Sequence, residues 1–121
     1  MSERIPAVDK TYLLEESKTF CMFPWLHLNV TPKGDIYPCC SNNYTDPFGN
    51  TKETSLKEAF NSDKMKQLRL DMLNGKKNSV CDFCYKHEEA GPHRFRNYSK
   101  EHFSGRFDEL VPQTRADGTV D

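Results

Sequence analysis

The sequence predicts a small α+β domain, an N-terminal β-hairpin followed by two or three short helices. Three observations lead there. The turn sequence Thr31-Pro32-Lys33-Gly34 lies between two short apolar runs. Two helix starts follow, a capping box at Ser55 and a second start near Ser62 or Asp63. Four spaced cysteines, Cys21, Cys39, Cys81 and Cys84, then offer a metal centre around which such elements can close. The chain has 121 residues, 36% hydrophobic and 29% charged. A core drawn from that composition is thin, and small cores are commonly stapled by disulfides or metal.

Taken in order, residues 1–19 read as a polar leader with one helical turn around Tyr12–Glu16. In Trp25-Leu26-His27-Leu28-Asn29-Val30, apolar Leu26, Leu28 and Val30 alternate with other residues, the period of a half-buried strand. Pro32 suits the second position of a type I turn, and Gly34 takes the positive φ that closes it. Ile36 and Pro38 return the chain toward the cysteines, so the hairpin sets Cys21 and Cys39 side by side. Residues 41–54 are rich in Ser, Asn, Asp, Pro, Gly and Thr and read as loop. Ser55-Leu56-Lys57-Glu58 is a capping box. In the second helix Met65, Leu68 and Met72 make an apolar face, with Leu73 beside them, and Asn74-Gly75 stops it. Lys64, Lys66, Arg69 and Asp71 are expected to face water. A short helix is expected over 84–90, ended by Gly91-Pro92, and another over 98–110. The tail 113–121 reads as a polar, mobile linker. The resulting division is a leader 1–19, a cysteine-bearing domain 20–92, and a C-terminal helix with tail 93–121.

Several function classes are disfavoured. The 17 basic and 18 acidic side chains leave a net charge of −1, without the basic surface that nucleic acid requires. The basic runs Lys76-Lys77 and Arg94-Phe95-Arg96 are too short to supply it. No apolar run approaches the roughly 18 residues of a membrane span, and the N-terminus has no apolar signal segment. A cytoplasmic location is expected, where thiols stay reduced. No Ser/His/Asp set, catalytic carboxylate pair or phosphate-binding glycine loop stands out.

The cysteines carry the chemistry. Cys21 and Cys39 bracket Gly34 as C-x12-G-x4-C, and Cys81 and Cys84 form C-x2-C. Four thiolates suit Zn²⁺ and an iron–sulfur cluster alike. Tyr85 follows Cys84, where a c-type haem site needs histidine. Cys40 is adjacent to Cys39 and points to the opposite side of an extended segment. It reads as a small buried residue in preference to an alternate ligand. His87, one helical turn beyond Cys84, is the other alternate. His27 alternates out of the strand face, and His93 and His102 have no visible partners. Phe20, Phe23, Trp25, Tyr37, Phe83 and Tyr85 neighbour the cysteines, the material of a water-excluding shell.

These segments resemble a known family. C-x12-G-x4-C followed by C-x2-C, together with 21–28, 34–40 and the helix 61–69, is similar to the SPASM or Twitch auxiliary-cluster domain of radical S-adenosylmethionine (SAM) enzymes. The resemblance covers roughly residues 20–90. It implies a [4Fe–4S] cluster on Cys21, Cys39, Cys81 and Cys84, passing electrons or positioning a substrate for a radical SAM enzyme. A full SPASM domain carries further cysteines after its C-x2-C and a second cluster. This sequence has only Cys81 and Cys84 there and resembles the one-cluster Twitch type. The C-x3-C-x2-C motif that holds the SAM-cleaving cluster is absent. The resemblance therefore implies a radical SAM core in cis downstream or in trans, with SAM bound only there, and a peptide or protein substrate. The other reading is a four-cysteine zinc domain acting as a structural or interaction module.

Overall fold

The computed structural model describes residues 3–39, 47–82, 84–86 and 100–120. The α+β expectation holds: a small three-stranded antiparallel sheet is combined with several short helices. A wide helical turn spans Tyr12–Glu16, where one was expected. Helix α1 is Phe23–Leu26. Strands β1 (Asn29–Val30), β2 (Asp35–Tyr37) and β3 (Gly49–Asn50) lie in the order β1-β2-β3. Helices α2 (Leu56–Phe60) and α3 (Asp63–Leu73) follow, then a tight turn at Ser79–Cys81. Residues 84–86 and 100–103 are helical, and α4 is Phe107–Leu110.

The hairpin forms, but it is shorter than the alternation suggests. Residues 25–28 are not strand. Pro24 sits in the first turn of α1, where its fixed φ favours a helix. The His27 N–H then donates to the Phe23 carbonyl at 2.8 Å. Val30, expected on the buried side, is 43% exposed. The turn itself is as predicted. The Gly34 N–H bonds to Thr31 O at 2.8 Å, and Gly34 has φ +90°. A Cβ there would stand 2.6 Å from Thr51 Oγ1, so both conformation and space demand glycine. Strand β3 was read as loop. It forms because the Phe48 N–H reaches Ile36 O at 2.7 Å, which pairs Gly49 with Ile36.

The helix starts are local chemistry and appear where expected. Ser55 accepts from the Glu58 N–H at 3.0 Å, and Glu58 returns a bond to the Ser55 N–H. Such a cap contributes about 1 kcal/mol. Ser62 accepts from the Met65 N–H at 3.3 Å, and Gly75 ends α3 with φ +74°. Met65, Leu68 and Met72 are buried in one cluster with Phe20, Met22, Trp25, Phe107 and Val111.

Two corrections concern the ends of the chain and α3. Arg69 does not face water; it is fully buried. Residues 113–120 are not a free linker. Thr114 and Val120 are buried, and Gly118, at φ +94°, lies so close to α3 that a Cβ would meet Lys66 O at 2.4 Å. The Trp25 indole N–H donates to Thr114 Oγ1 at 2.7 Å. The leader is also tied in. The Ile5 N–H bonds to Thr114 O at 2.9 Å, and Leu13, Ser17 and Thr19 are buried.

Candidate metal centre

Each cysteine is delivered by the end of a short element. Cys21 follows buried Phe20 and precedes α1; Cys39 lies two residues beyond β2. Cys81 closes the turn that Asn78 begins. The Asn78 side chain accepts from the Val80 N–H at 3.1 Å, and its carbonyl accepts from the Cys81 N–H at 2.9 Å. Cys84 lies in the helical residues 84–86, with Asp82 before it helical as well. All four are free thiols; Cys21 and Cys84 are buried, and Cys39 and Cys81 are half-buried.

Removal from water pushes the Cys81 thiol well above its ordinary value near 9.0, and the neighbouring sulfurs of Cys21, Cys39 and Cys84 push it further. Cys81 therefore lies within electrostatic reach of the other three. The Tyr85 hydroxyl opposes this with a hydrogen bond to Cys81. The mutual repulsion is what a bound cation would relieve, so the donor set fits a thiolate-ligated metal group. As they stand, no three His, Cys, Asp or Glu side chains among the described residues form a group that could hold one metal ion.

The surroundings are apolar. Cys21 belongs to the buried cluster that includes Phe20, Met22 and Trp25, and Cys81 packs against it. The Phe20 and Trp25 ring centres are 5.4 Å apart. Tyr37 and Tyr85 are buried, and Phe23 is half-buried. His27 is exposed, its ring 5.3 Å from that of Phe23. His102 is exposed as well. Cys40, His87, His93 and Phe83 lie outside the described residues.

The sequence profile of the SPASM domain, an iron–sulfur cluster-binding domain, matches residues 21–85, more than half of the 121 residues. The chain belongs to the SPASM family. The match begins on Cys21 and ends one residue after Cys84, so all five cysteines of this SPASM domain lie within it. No curated protein and no solved structure is significantly similar to the chain. Among the described residues of this SPASM domain, no helix is long and apolar enough to cross a membrane.

Sequence reasoning missed the residues that hold the SPASM site in place. Arg69 donates Nε to Pro24 O at 2.9 Å and Nη1 to Gly118 O and Asn61 Oδ1, each at 2.9 Å. Its Nη2 donates to Phe60 O, and the guanidinium stacks over the Phe60 ring at 4.5 Å. Burial pushes its pKa down to about 10, so it is buried as a cation at neutral pH. Arg69 thereby fixes the segment three residues after Cys21. A signal existed: Met65, Leu68, Arg69 and Met72 fall at i, i+3, i+4, i+7, which places Arg69 on the apolar face.

The raised Cys81 thiol has a measurable consequence in the reduced, metal-free chain. An unfolded thiol loses its proton near 9.0, while folded Cys81 keeps it to higher pH. Between those values the unfolded state binds fewer protons, so stability falls as pH rises. One group contributes a slope of up to about 1.4 kcal/mol per pH unit. Denaturant midpoints should hold steady below pH 8.5 and fall above pH 9; a flat profile up to pH 10 would contradict a thiol buried among thiols.

Proposed function

We propose that the chain binds one auxiliary [4Fe–4S] cluster through Cys21, Cys39, Cys81 and Cys84 and serves a radical SAM enzyme. What supports this reading is the iron–sulfur domain match that spans Cys21, Cys39, Cys81 and Cys84, with Cys81 in electrostatic reach of the other three. The match to an iron–sulfur cluster-binding domain favours a cluster over a single zinc ion.

When bound, such a cluster supplies one-electron redox chemistry at low potential. The chain's own part is to present four thiolates, to exclude water with Phe20, Trp25, Tyr37 and Tyr85, and to hold the ligand loops on α3 through Arg69. Four cysteine ligands leave no iron open to substrate, which favours electron transfer or support over direct substrate ligation. The radical chemistry belongs to a C-x3-C-x2-C core, absent here and supplied in cis or in trans. A peptide or protein is the substrate class this reading implies.

The test is anaerobic purification with iron, acid-labile sulfide and zinc measured on one sample. About four irons and four sulfides per chain, with a brown chromophore, are expected. One zinc and no colour after attempted cluster reconstitution would replace the proposal with a zinc-stapled interaction domain.

A further inference from the structure

The leader, the last turn of α3 and the returning tail enclose a cavity of about 370 Å³ that no cysteine lines. Its size falls in the range of small-ligand sites, about 300–1,000 Å³. Ile5, Val8, Leu13, Leu70 and Leu73 give it apolar walls. Tyr12, which also lines it, is 46% exposed, a large aromatic side chain left in water.

The charge at this cavity is of one sign. Among the described residues that line it, Asp9 is the one charged side chain, and no Lys, Arg or His takes part. Lys10, next in the chain, does not neutralise it. The Lys10 ammonium bonds to Asp108 Oδ2 at 3.1 Å and lies 5.8 Å from the Phe107 ring centre. One Asp9 carboxylate oxygen accepts from the Tyr12 N–H at 3.0 Å. The other has no hydrogen-bond partner among the described residues. The carbonyl end of α3 reaches the same cavity at Leu73 and Asn74. Such an end carries partial negative charge, and the last turn of α3 holds no basic side chain to offset it. A carboxylate, a helix carbonyl end and an aromatic face all attract a cation. The leucine and isoleucine walls take an apolar body.

We propose that this cavity binds a small amphipathic cation, an alkyl or aryl body ending in an ammonium group, at a site separate from the metal centre. A free small molecule suits it better than a peptide. Pro6 lines the cavity and has no N–H to offer a peptide backbone. Ile5 and Ala116 already use theirs to pair leader with tail, on Thr114 O and Glu3 O. The body packs on Leu70 and Leu73, and the head lies at Asp9.

The experiment titrates the full chain by calorimetry with phenylbutylamine, phenylbutanol and phenylbutyrate, which share a body and differ in the head. Asp9 is exposed, so its pull on the head is modest. The amine should bind about threefold more tightly than the alcohol and about tenfold more tightly than the acid. Asp9→Asn removes the charge and keeps an oxygen for the Tyr12 N–H. It should weaken the amine to the level of the alcohol and leave the alcohol unchanged. Ala7 is exposed at the cavity. Ala7→Phe fills the space from that side and should abolish binding of all three, with the urea midpoint unchanged. If Asp9→Asn unfolds the leader, the order of the three probes on wild type and the Ala7→Phe loss decide the matter. No saturable binding of the amine, or equal binding of amine and acid, overturns the proposal. Tighter binding of the blocked peptide acetyl-Leu-Lys-Leu-amide than of the amine overturns the assignment to a small molecule. The cysteines take no part, so a chain that takes up no iron overturns the cluster reading and leaves these outcomes to be read on their own.

Discussion

Arg69→Met should remove most of the stability of the metal-free chain, about 3–5 kcal/mol, where a domain typically has only about 5–15 to lose. The side chain is fully buried, and its loss strands the carbonyls of Pro24, Phe60 and Gly118 without the donor each now has. Unsatisfied buried acceptors are the costly outcome, at about 1–3 kcal/mol each. Methionine fills comparable volume, so the effect is not a cavity. Arg69→Lys separates charge from geometry. Lysine keeps the charge, but a single ammonium cannot span acceptors on three segments. It should cost nearly as much. Urea midpoints of both variants, with slopes unchanged, are the measurement. A loss below 1 kcal/mol in Arg69→Met would mean that the tail and the α1 segment are held by something else.

Cys81→Ser should abolish cluster loading and lower the stability of the reconstituted chain to that of the metal-free form. Metal binding in small domains is folding free energy, because the site does not exist in the unfolded chain. The other three thiols act on Cys81, which places it among them. Serine offers a hydroxyl that does not ionise at neutral pH. Iron per chain should drop at least tenfold after reconstitution, with the chromophore lost and the denaturant midpoint of the metal-free chain nearly unchanged. The same result is expected for Cys21, Cys39 and Cys84. A variant that kept full iron and full stability would remove that residue from the site. Cys40→Ser should load normally if Cys39 is the ligand.

What was legible in the sequence is what short-range chemistry decides. The Ser55 capping box, the Ser62 cap and the Gly75 stop depend on groups within four residues, and they appear where expected. Gly34 was legible for the same reason, since one hydrogen bond between Thr31 and Gly34 fixes the turn. The cysteine spacing and the segments around it pointed to the SPASM family, which the profile match over 21–85 shows. The strand expected over 25–30 forms only at 29–30, because alternation over six residues is weak evidence. Pro24 starts a helical turn there, and Trp25 uses its indole N–H on Thr114, a partner 89 residues away.

By itself, the sequence determined the fold class, the helix starts, the hairpin turn and the family of the metal centre. Each is written in local dihedral preference, in caps, or in the identity and spacing of thiols. The tertiary structure alone decided the third strand, the burial of Arg69 and the return of residues 113–120 against α3. Those contacts join residues far apart in the chain. Their free energy comes from satisfying buried polar groups, and it becomes available only once distant segments have closed the core around them.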